Sequence, residues 1–143
     1  MTEETLRKII LCIESTVIEV WAITCDAGPT NQGLLNRLEI STAKTSLPNP
    51  SDPSREIFAF YDVPHLLKLL RNHILDSGID VDGKGSIICL ADFQSILNHN
   101  SAELKIHPKL SDHHINCVGN QQQRVRLAAQ LLLHTSAKAI RCL

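Results

Sequence analysis

Glu19-Val-Trp-Ala-Ile-Thr-Cys25 and Glu56-Ile-Phe-Ala-Phe-Tyr61 are the two stretches that decide the fold class of this chain. Each is short, rich in β-branched and aromatic residues and nearly continuous in apolar character, as expected for a strand buried on both faces of a sheet. An aspartate follows each of them directly, Asp26 after the first and Asp62 after the second. The two stretches therefore predict a sheet with an acidic residue at the end of each strand.

Helical periodicity surrounds both predicted strands. Apolar residues recur every three or four positions from Leu6 to Val17, which predicts a first helix. A second helix is expected to begin at Thr30 or Asn31, capped by one of those side chains, and a third to run from Val63 to Ser77. This alternation of helix and strand predicts an α/β fold whose parallel strands are joined by right-handed crossovers.

The remaining segments are less regular. Ser46 to Arg55 carries three prolines and predicts a linker. Beyond Gly78, turn-rich and apolar stretches lead to one long helix, expected from about Gln121 to Cys142. We therefore expect two parts, a sheet-containing part over residues 1–78 and a mostly helical subdomain over residues 79–143.

The composition excludes several classes of protein. An apolar content of 43% in 143 residues is enough for a globular domain with a core. Lys and Arg number 14 against 15 acidic residues, so nucleic-acid contacts are expected to be local. No secretory signal pattern and no apolar run of about 20 residues is present. We therefore expect a nuclear or cytoplasmic protein, not a secreted one, without a membrane partner.

Cysteine and histidine do not form a recognisable metal or disulfide pattern. The five cysteines are an odd number without a CxxC pair, which predicts free, mostly buried thiols. His113 and His114 lie near His107 and Cys117, but their spacing matches no zinc-finger pattern. We expect no zinc site there.

Several motifs resemble one known family. Cys25-Asp-Ala-Gly-Pro-Thr-Asn31 and Phe60-Tyr-Asp-Val-Pro-His-Leu-Leu-Lys-Leu-Leu-Arg-Asn72 are similar, in sequence and order, to P-element transposases and their THAP-domain relatives. The segments 109–115 and 124–130 resemble the start of that family's helical GTP-binding insertion domain. Where members often have a phenylalanine and a serine, this chain reads Leu131-Leu-Leu-His134.

The resemblance implies an incomplete RNase H-like parallel sheet with flanking helices, followed by the N-terminal part of the insertion domain. Cores of this kind transfer phosphoryl groups on DNA with Mg²⁺ or Mn²⁺ held by carboxylates. Asp26 is the expected catalytic residue and metal ligand, because ligands bind beyond the carboxyl ends of parallel strands. Asp62 is a weaker metal candidate.

The resemblance also implies binding partners. GTP is a ligand in the family, and Arg124 and Val125 are the nucleotide candidates here. DNA is the expected macromolecular partner, with Lys68 and Arg71 as candidates for contacts to its phosphates.

Each of these residues also has a purely structural interpretation. Asp26 suits a turn that caps the next helix, and Asp62 suits the N-cap of the helix that follows it. His65 is expected to bond to backbone, since the metal site prefers oxygen donors. Solvated helix faces are the alternative for the cations Lys68, Arg71, Arg124, Arg126, Lys138 and Arg141.

The family's first aspartate and final glutamate have no identifiable counterpart in the chain. One aspartate does not hold two metal ions, so we expect no strand-transfer activity from this chain alone. The leading interpretation is a fragment or derivative of a P-element-like transposase, with DNA and the missing transposase segments as partners. The alternative is a domesticated, non-enzymatic module that binds DNA or a protein through an exposed sheet edge and apolar face.

Overall fold

The computed structural model describes residues 1–100 and 105–143 and divides into two compact units, residues 1–63 and 64–143. The class is mixed α/β, with helices and small sheets. The boundary between the units follows Val63, the first residue of the third helix, and Ile74 of that helix belongs to the core of the second unit. No helix within the described ranges is long and apolar enough to span a membrane.

The first unit contains two helices and a three-stranded sheet. In chain order its elements are α1 (Glu3–Glu14), β1 (Ala22–Cys25), α2 (Pro29–Arg37), β2 (Ser46–Pro48) and β3 (Glu56–Tyr61). The strand order is β1-β3-β2, with β1 parallel to β3 and β2 antiparallel to it. The expected parallel pair is confirmed, whereas the linker prediction for Ser46–Pro48 was wrong. Pro48 is tolerated because it ends an edge strand, where its missing N–H is not needed.

The expectation that both strands are buried on two faces was also wrong. No residue of β1 is buried, and Ile57 is the one fully buried residue of β3. The apolar side chains of α1 and α2 cover one face of the sheet, where Leu47 and Ile57 join their cluster. On the other face, Phe58 and Phe60 remain 44% and 55% exposed. The sheet of the first unit therefore has one packed face, which the sequence pattern of the strands does not reveal.

The helix boundaries of the first unit follow local chemistry. The Thr2 hydroxyl accepts a hydrogen bond from the Thr5 amide at 3.2 Å and caps α1. The predicted cap at Thr30 or Asn31 was wrong, since α2 begins at Pro29 with Gly28 as its N-cap residue and no side-chain cap. Proline suits this first position because its fixed φ is already helical.

A largely buried carboxylate ties the end of α1 to the segment before β3. Glu14 accepts hydrogen bonds from the Val20 amide at 2.7 Å and from Asn49 Nδ2 at 2.8 Å. The Arg55 guanidinium also donates to Glu14, and it lies 5.5 Å from the centre of the Trp21 ring. The Val20 hydrogen bond, with those from Asn49 and Arg55, holds the pKa of Glu14 below its usual value. This polar cluster thereby joins the connection between α1 and β1 to the connection between β2 and β3.

The second unit is mostly helical with a short hairpin. Its elements are α3 (Val63–Ser77, whose first residue closes the first unit), β4 (Ile79–Asp80), β5 (Ile87–Ile88), α4 (Leu90–His99), α5 (Asp112–Ile115), a 3₁₀ turn (Gly119–Gln123), α6 (Val125–Leu131) and α7 (His134–Arg141). The expected bounds of α3 are confirmed. Gly78 ends α3 with a φ of 76°, and a Cβ there would lie 2.8 Å from Ile87 Cγ2. Glycine is therefore required where α3 meets the hairpin.

The antiparallel β4–β5 hairpin was not predicted. Two aspartates organise its turn by accepting backbone N–H groups. Asp80 Oδ1 accepts from the Gly83 amide at 2.8 Å, and Asp82 Oδ1 accepts from the Lys84 amide at 2.8 Å. The hydrogen bonds from the Ser86 hydroxyl and then the Lys84 amide lower the pKa of Asp82 to about 2.

The prediction of a single long helix at the C-terminus was wrong. The segment is divided into the 3₁₀ turn, α6 and α7, with a break at Leu132 and Leu133. The break lets α7 place Ser136 and Ala139 inside the unit, where Ser136 Oγ lies 3.0 Å from His107 Nε2. Tertiary contacts therefore override the helical pattern of this segment.

The five cysteines are all free, as expected, but none is buried. Cys12 and Cys142 are exposed, and Cys25, Cys89 and Cys117 are half-buried. The predicted burial of these thiols was therefore wrong, because they lie at helix ends, strand edges and connections outside the two cores.

The core of the second unit depends on Leu131. This side chain is 0% exposed, whereas Leu133 two residues later is 39% exposed. We expect Leu131→Ala to lower the free energy of unfolding by about 2–5 kcal/mol, because it removes buried methyl groups and leaves a cavity. Leu133→Ala is the matched control and should change it by less than about 1 kcal/mol. Urea unfolding followed by circular dichroism measures both; equal losses in the two variants would contradict the assigned core.

His107 should make the stability of the second unit depend on pH. Its side chain is buried, and its Nδ1 has no hydrogen-bond partner among residues 1–100 and 105–143. Burial lowers the pKa of His107, with smaller contributions from the charges of His114 and Lys109. The unfolded chain accepts a proton at about pH 6.5 while the folded unit resists it, so stability falls as the pH drops below that value. His107→Gln should flatten this dependence, and the exposed His134→Gln should not. If the free energy of unfolding changed by the same amount between pH 5 and 8 in the parent and in both variants, the role of His107 would be refuted.

Candidate functional site

Asp26 and Asp62 follow the paired ends of two parallel strands. Cys25 of β1 is the register partner of Tyr61 of β3, and the Asp62 amide donates to the Cys25 carbonyl at 2.8 Å. Because the strands run in the same direction, both aspartates leave the sheet at its carboxyl edge. Burial raises the pKa of the Cys25 thiol, and the charge of Asp26 raises it further.

The Asp26 carboxylate also organises the turn that follows β1. Its Oδ1 accepts hydrogen bonds from the Gly28 amide at 2.8 Å and from Asn31 Nδ2 at 2.9 Å. A Cβ at Gly28 would lie only 2.8 Å from that oxygen, so this approach requires glycine. The turn role expected as the structural interpretation of Asp26 is thus present. It fixes the orientation of an exposed carboxylate at the sheet edge.

The donors at this edge fit part of a magnesium site. Carboxylate oxygens are the ligands that Mg²⁺ and Mn²⁺ prefer. Within residues 1–100 and 105–143, however, no group of three or more His, Cys, Asp or Glu side chains is placed to hold a metal ion. Asp26 and Asp62 are therefore at most two members of a larger ligand set. His65 is half-buried in the first turn of α3.

Arg71, a candidate for DNA contacts, is fully buried at 0% exposure. Its guanidinium donates to Asn72 Oδ1 at 2.7 Å, to Cys117 Sγ at 3.1 Å and to the Gln122 carbonyl at 2.6 Å. This placement leaves no side-chain surface for a phosphate, and it anchors the 3₁₀ turn to α3 instead. Lys68 is half-buried and reaches Gln123 Oε1 at 3.3 Å, so of the two candidates only Lys68 keeps access to solvent.

The second unit contains a cleft of about 330 Å³ with a basic and polar lining. Arg124 and Arg126 are its cations, and both are exposed. The other lining residues are Ser111, His113, His114, Gln121, Leu127 and Gln130. The cleft thus includes Arg124, one of the two nucleotide candidates, while the other, Val125, does not line it.

A hydrogen-bond network stiffens one wall of this cleft. His114 Nδ1 lies 3.1 Å from the Ser111 amide, and its Nε2 lies 3.0 Å from Gln130 Oε1. His114 is buried, so its two ring nitrogens join α5 to α6. The ring therefore has a structural role that requires no metal.

Of the residues that line the cleft, only Arg124 had been predicted as a nucleotide candidate from the sequence. A signal for the cleft was nevertheless present, because seven of the eight lining residues belong to the motif segments 109–115 and 124–130. Two segments that are separated in sequence and carry one resemblance are expected to meet at one site. Gln121, in the 3₁₀ turn, had no such signal.

Comparisons with known proteins agree on one family. Residues 64–143 match the family model of the TNP-like, GTP-binding insertion domain. The chain is 39% identical over 142 residues to the transposable element P transposase of Drosophila melanogaster, covering 99% of this chain and 19% of that protein. It also superposes on a solved structure of the Drosophila P element transposase strand transfer complex with a TM-score of 0.87 at 38% identity, covering 99% of this chain and 32% of that one.

The chain thus spans about a fifth of the length of its curated relative and about a third of the solved chain. The family model covers more than half of the chain, including every residue of the basic cleft. This chain therefore belongs to the P-element-type transposases.

Proposed function

We propose that the first unit is part of an RNase H-like phosphoryl-transfer core that acts on DNA, with Asp26 as a metal-holding catalytic residue and Asp62 as a second ligand. One observation carries this proposal: the two aspartates follow register-paired ends of parallel strands. Side chains in that position face the crevice where α/β proteins bind their ligands. DNA as the substrate is supported by the name of the similar structure, a transposase strand transfer complex.

Asp26 would act through position and charge. The Gly28 amide and Asn31 side chain hold one carboxylate oxygen, which reduces the side-chain freedom that is lost on binding a cation. A bound Mg²⁺ or Mn²⁺ ion would supply charge stabilisation for the reacting phosphoryl oxygens. Two aspartates do not complete such a site, so the remaining carboxylates have to come from other segments of a transposase. We accordingly propose that this chain contributes to catalysis but does not perform it alone.

Manganese binding to the chain tests the role of Asp26. Paramagnetic Mn²⁺ should broaden the amide NMR signals of residues 26–28 and 62–63 first, because oxygen donors meet at that edge. Asp26→Asn keeps an acceptor for the Gly28 amide but loses the charge, and should weaken this broadening at least about tenfold. Asp76→Asn, an exposed carboxylate of α3, is the control and should leave it unchanged. Broadening that starts at the Asp80–Asp82 turn, or that survives in Asp26→Asn, would contradict the proposal.

A second candidate function is guanine-nucleotide binding in the basic cleft of the second unit. The match to a GTP-binding insertion domain favours it, and so does the presence of two arginines in one cleft. A guanidinium binds phosphate oxygens through two parallel hydrogen bonds, which suits a triphosphate. The volume of about 330 Å³ lies at the lower end of the range for small-molecule sites.

The architecture around the cleft supports a preformed site. Arg71 fixes the 3₁₀ turn through the Gln122 carbonyl, and that turn carries Gln121 and leads into Arg124. Another lining residue, Gln130, has its side chain fixed by His114. Walls that are already ordered cost less conformational entropy when a ligand binds.

Calorimetry with Mg²⁺–GTP tests the cleft. We expect binding to the chain, and a loss of affinity of at least about tenfold in Arg124→Gln/Arg126→Gln, because two charge-assisted phosphate contacts disappear. The exposed Lys84→Gln in the hairpin turn is the control and should bind like the parent. The cleft assignment fails if the parent gives no heat at high protein concentration, or if the double variant binds GTP equally well.

A further inference from the structure

We propose that the exposed face of α7, formed by His134, Lys138 and Arg141, is a docking surface for the phosphate backbone of a double-stranded nucleic acid. We call it the α7 basic face. Its residues neither line the basic cleft nor belong to the turn after β1 that holds Asp26, so it adds a separate binding surface to the DNA-acting function proposed above.

The net charge of −1 conceals a strong division between the two units. The first unit carries five Lys and Arg residues against nine acidic ones, whereas the second carries nine against six. All seven histidines also belong to the second unit. Its formal charge is therefore +3 with neutral histidines, against −4 for the first unit. An attraction for polyanions is accordingly expected for the second unit and not for the first.

The cations of the two units differ in how they are paired. In the first unit, Arg7, Lys8, Lys44 and Arg55 each form an ion pair with a carboxylate. In the second unit, no Lys or Arg forms an ion pair among the residues that the structure describes. Its carboxylates Asp80, Asp82 and Asp92 instead accept backbone amides of their own turns and caps. The positive charge of the second unit is thus not compensated locally.

The geometry of α7 concentrates this charge on one side. His134, Lys138 and Arg141 are four and three residues apart, which places them on one helical face, and all three are exposed. The buried residues Ser136 and Ala139 lie on the opposite face and hold the helix in the core. The helix dipole favours cations in the last turn, which accounts for Lys138 and Arg141 but not for His134 at the first position.

A phosphate backbone is the partner that fits this arrangement. Lys138 and Arg141 present donors without acceptors, and none of the three side chains is a large apolar one, so the face offers charge and not an apolar anchor. Cations on one exposed helix face can contact phosphates of a duplex, and such contacts carry no base information. Aromatic residues for stacking single-stranded bases are also scarce in the second unit, where Phe93 is buried.

Fluorescence anisotropy with a labelled 20-base-pair duplex and the full 143-residue chain tests this face. We expect binding that weakens with salt and does not depend on base sequence. Lys138→Gln/Arg141→Gln should lower affinity on the order of tenfold at 0.1 M salt and reduce the log–log salt slope by about two. Both side chains are exposed, so the variant should still unfold cooperatively, with a melting temperature lowered only slightly by the lost interaction with the helix dipole.

Arg7→Gln/Lys8→Gln is the matched control, since it removes two exposed helical cations from the first unit. It should leave duplex affinity unchanged. Lys138→Gln/Arg141→Gln should in turn keep the Mn²⁺ broadening and the GTP affinity of the parent, which keeps failure of this proposal separate from failure of the two sites above. No duplex binding by the parent, or an equal loss in the Arg7/Lys8 control, would overturn the assignment. Equal competition by polyglutamate of matched charge would also overturn it and indicate an acidic protein partner.

Discussion

The parallel pairing of β1 with β3 is the constraint on which the candidate chemistry of this chain depends. The pairing brings Cys25 opposite Tyr61, and the residue after each is an aspartate. Side chains alternate between the two faces of a strand, so a slip of one residue would exchange the packed and exposed faces. Ile57 is fully buried against α1 and α2. It resists such a slip, because a slip would move its side chain to the face of the sheet that is open to solvent. The apolar core and the acidic edge thus depend on the same register.

Local patterns predicted the elements better than they predicted burial. The bounds of α3, the two main strands and the aspartates at their ends follow from periodicity, turn residues and strand composition. The number of covered faces does not, because apolar runs look alike whether one face or two are packed. The pairing of Ser46–Pro48 with β3 and of β4 with β5 joins segments through non-local hydrogen bonds, which composition does not encode. The break before α7 likewise depends on His107, which lies 29 residues from Ser136 in sequence.

The site residues divide in the same way. The position of Asp26 at the end of a strand could be predicted because a strand pattern and a family motif coincide there. Arg71 was not, since a buried arginine and a solvated one have the same helical spacing, and only its contacts with Cys117 and Gln122 distinguish them. A whole-chain charge near zero was also misleading, because it averages an acidic unit and a basic one. Charge has to be counted by structural unit before a polyanionic partner is excluded.

The register of β1 against β3 is directly measurable by isotope-edited NMR of the chain in solution. Cross-strand nuclear Overhauser effects between backbone protons of Ala22 and Phe58, and likewise along the strands to Cys25 and Tyr61, are expected for the parallel arrangement. Observing them would place both aspartates at one sheet edge. A pattern shifted by one residue, or one typical of antiparallel strands, would separate the carboxylates and contradict the account of this chain as part of a metal-dependent transposase core.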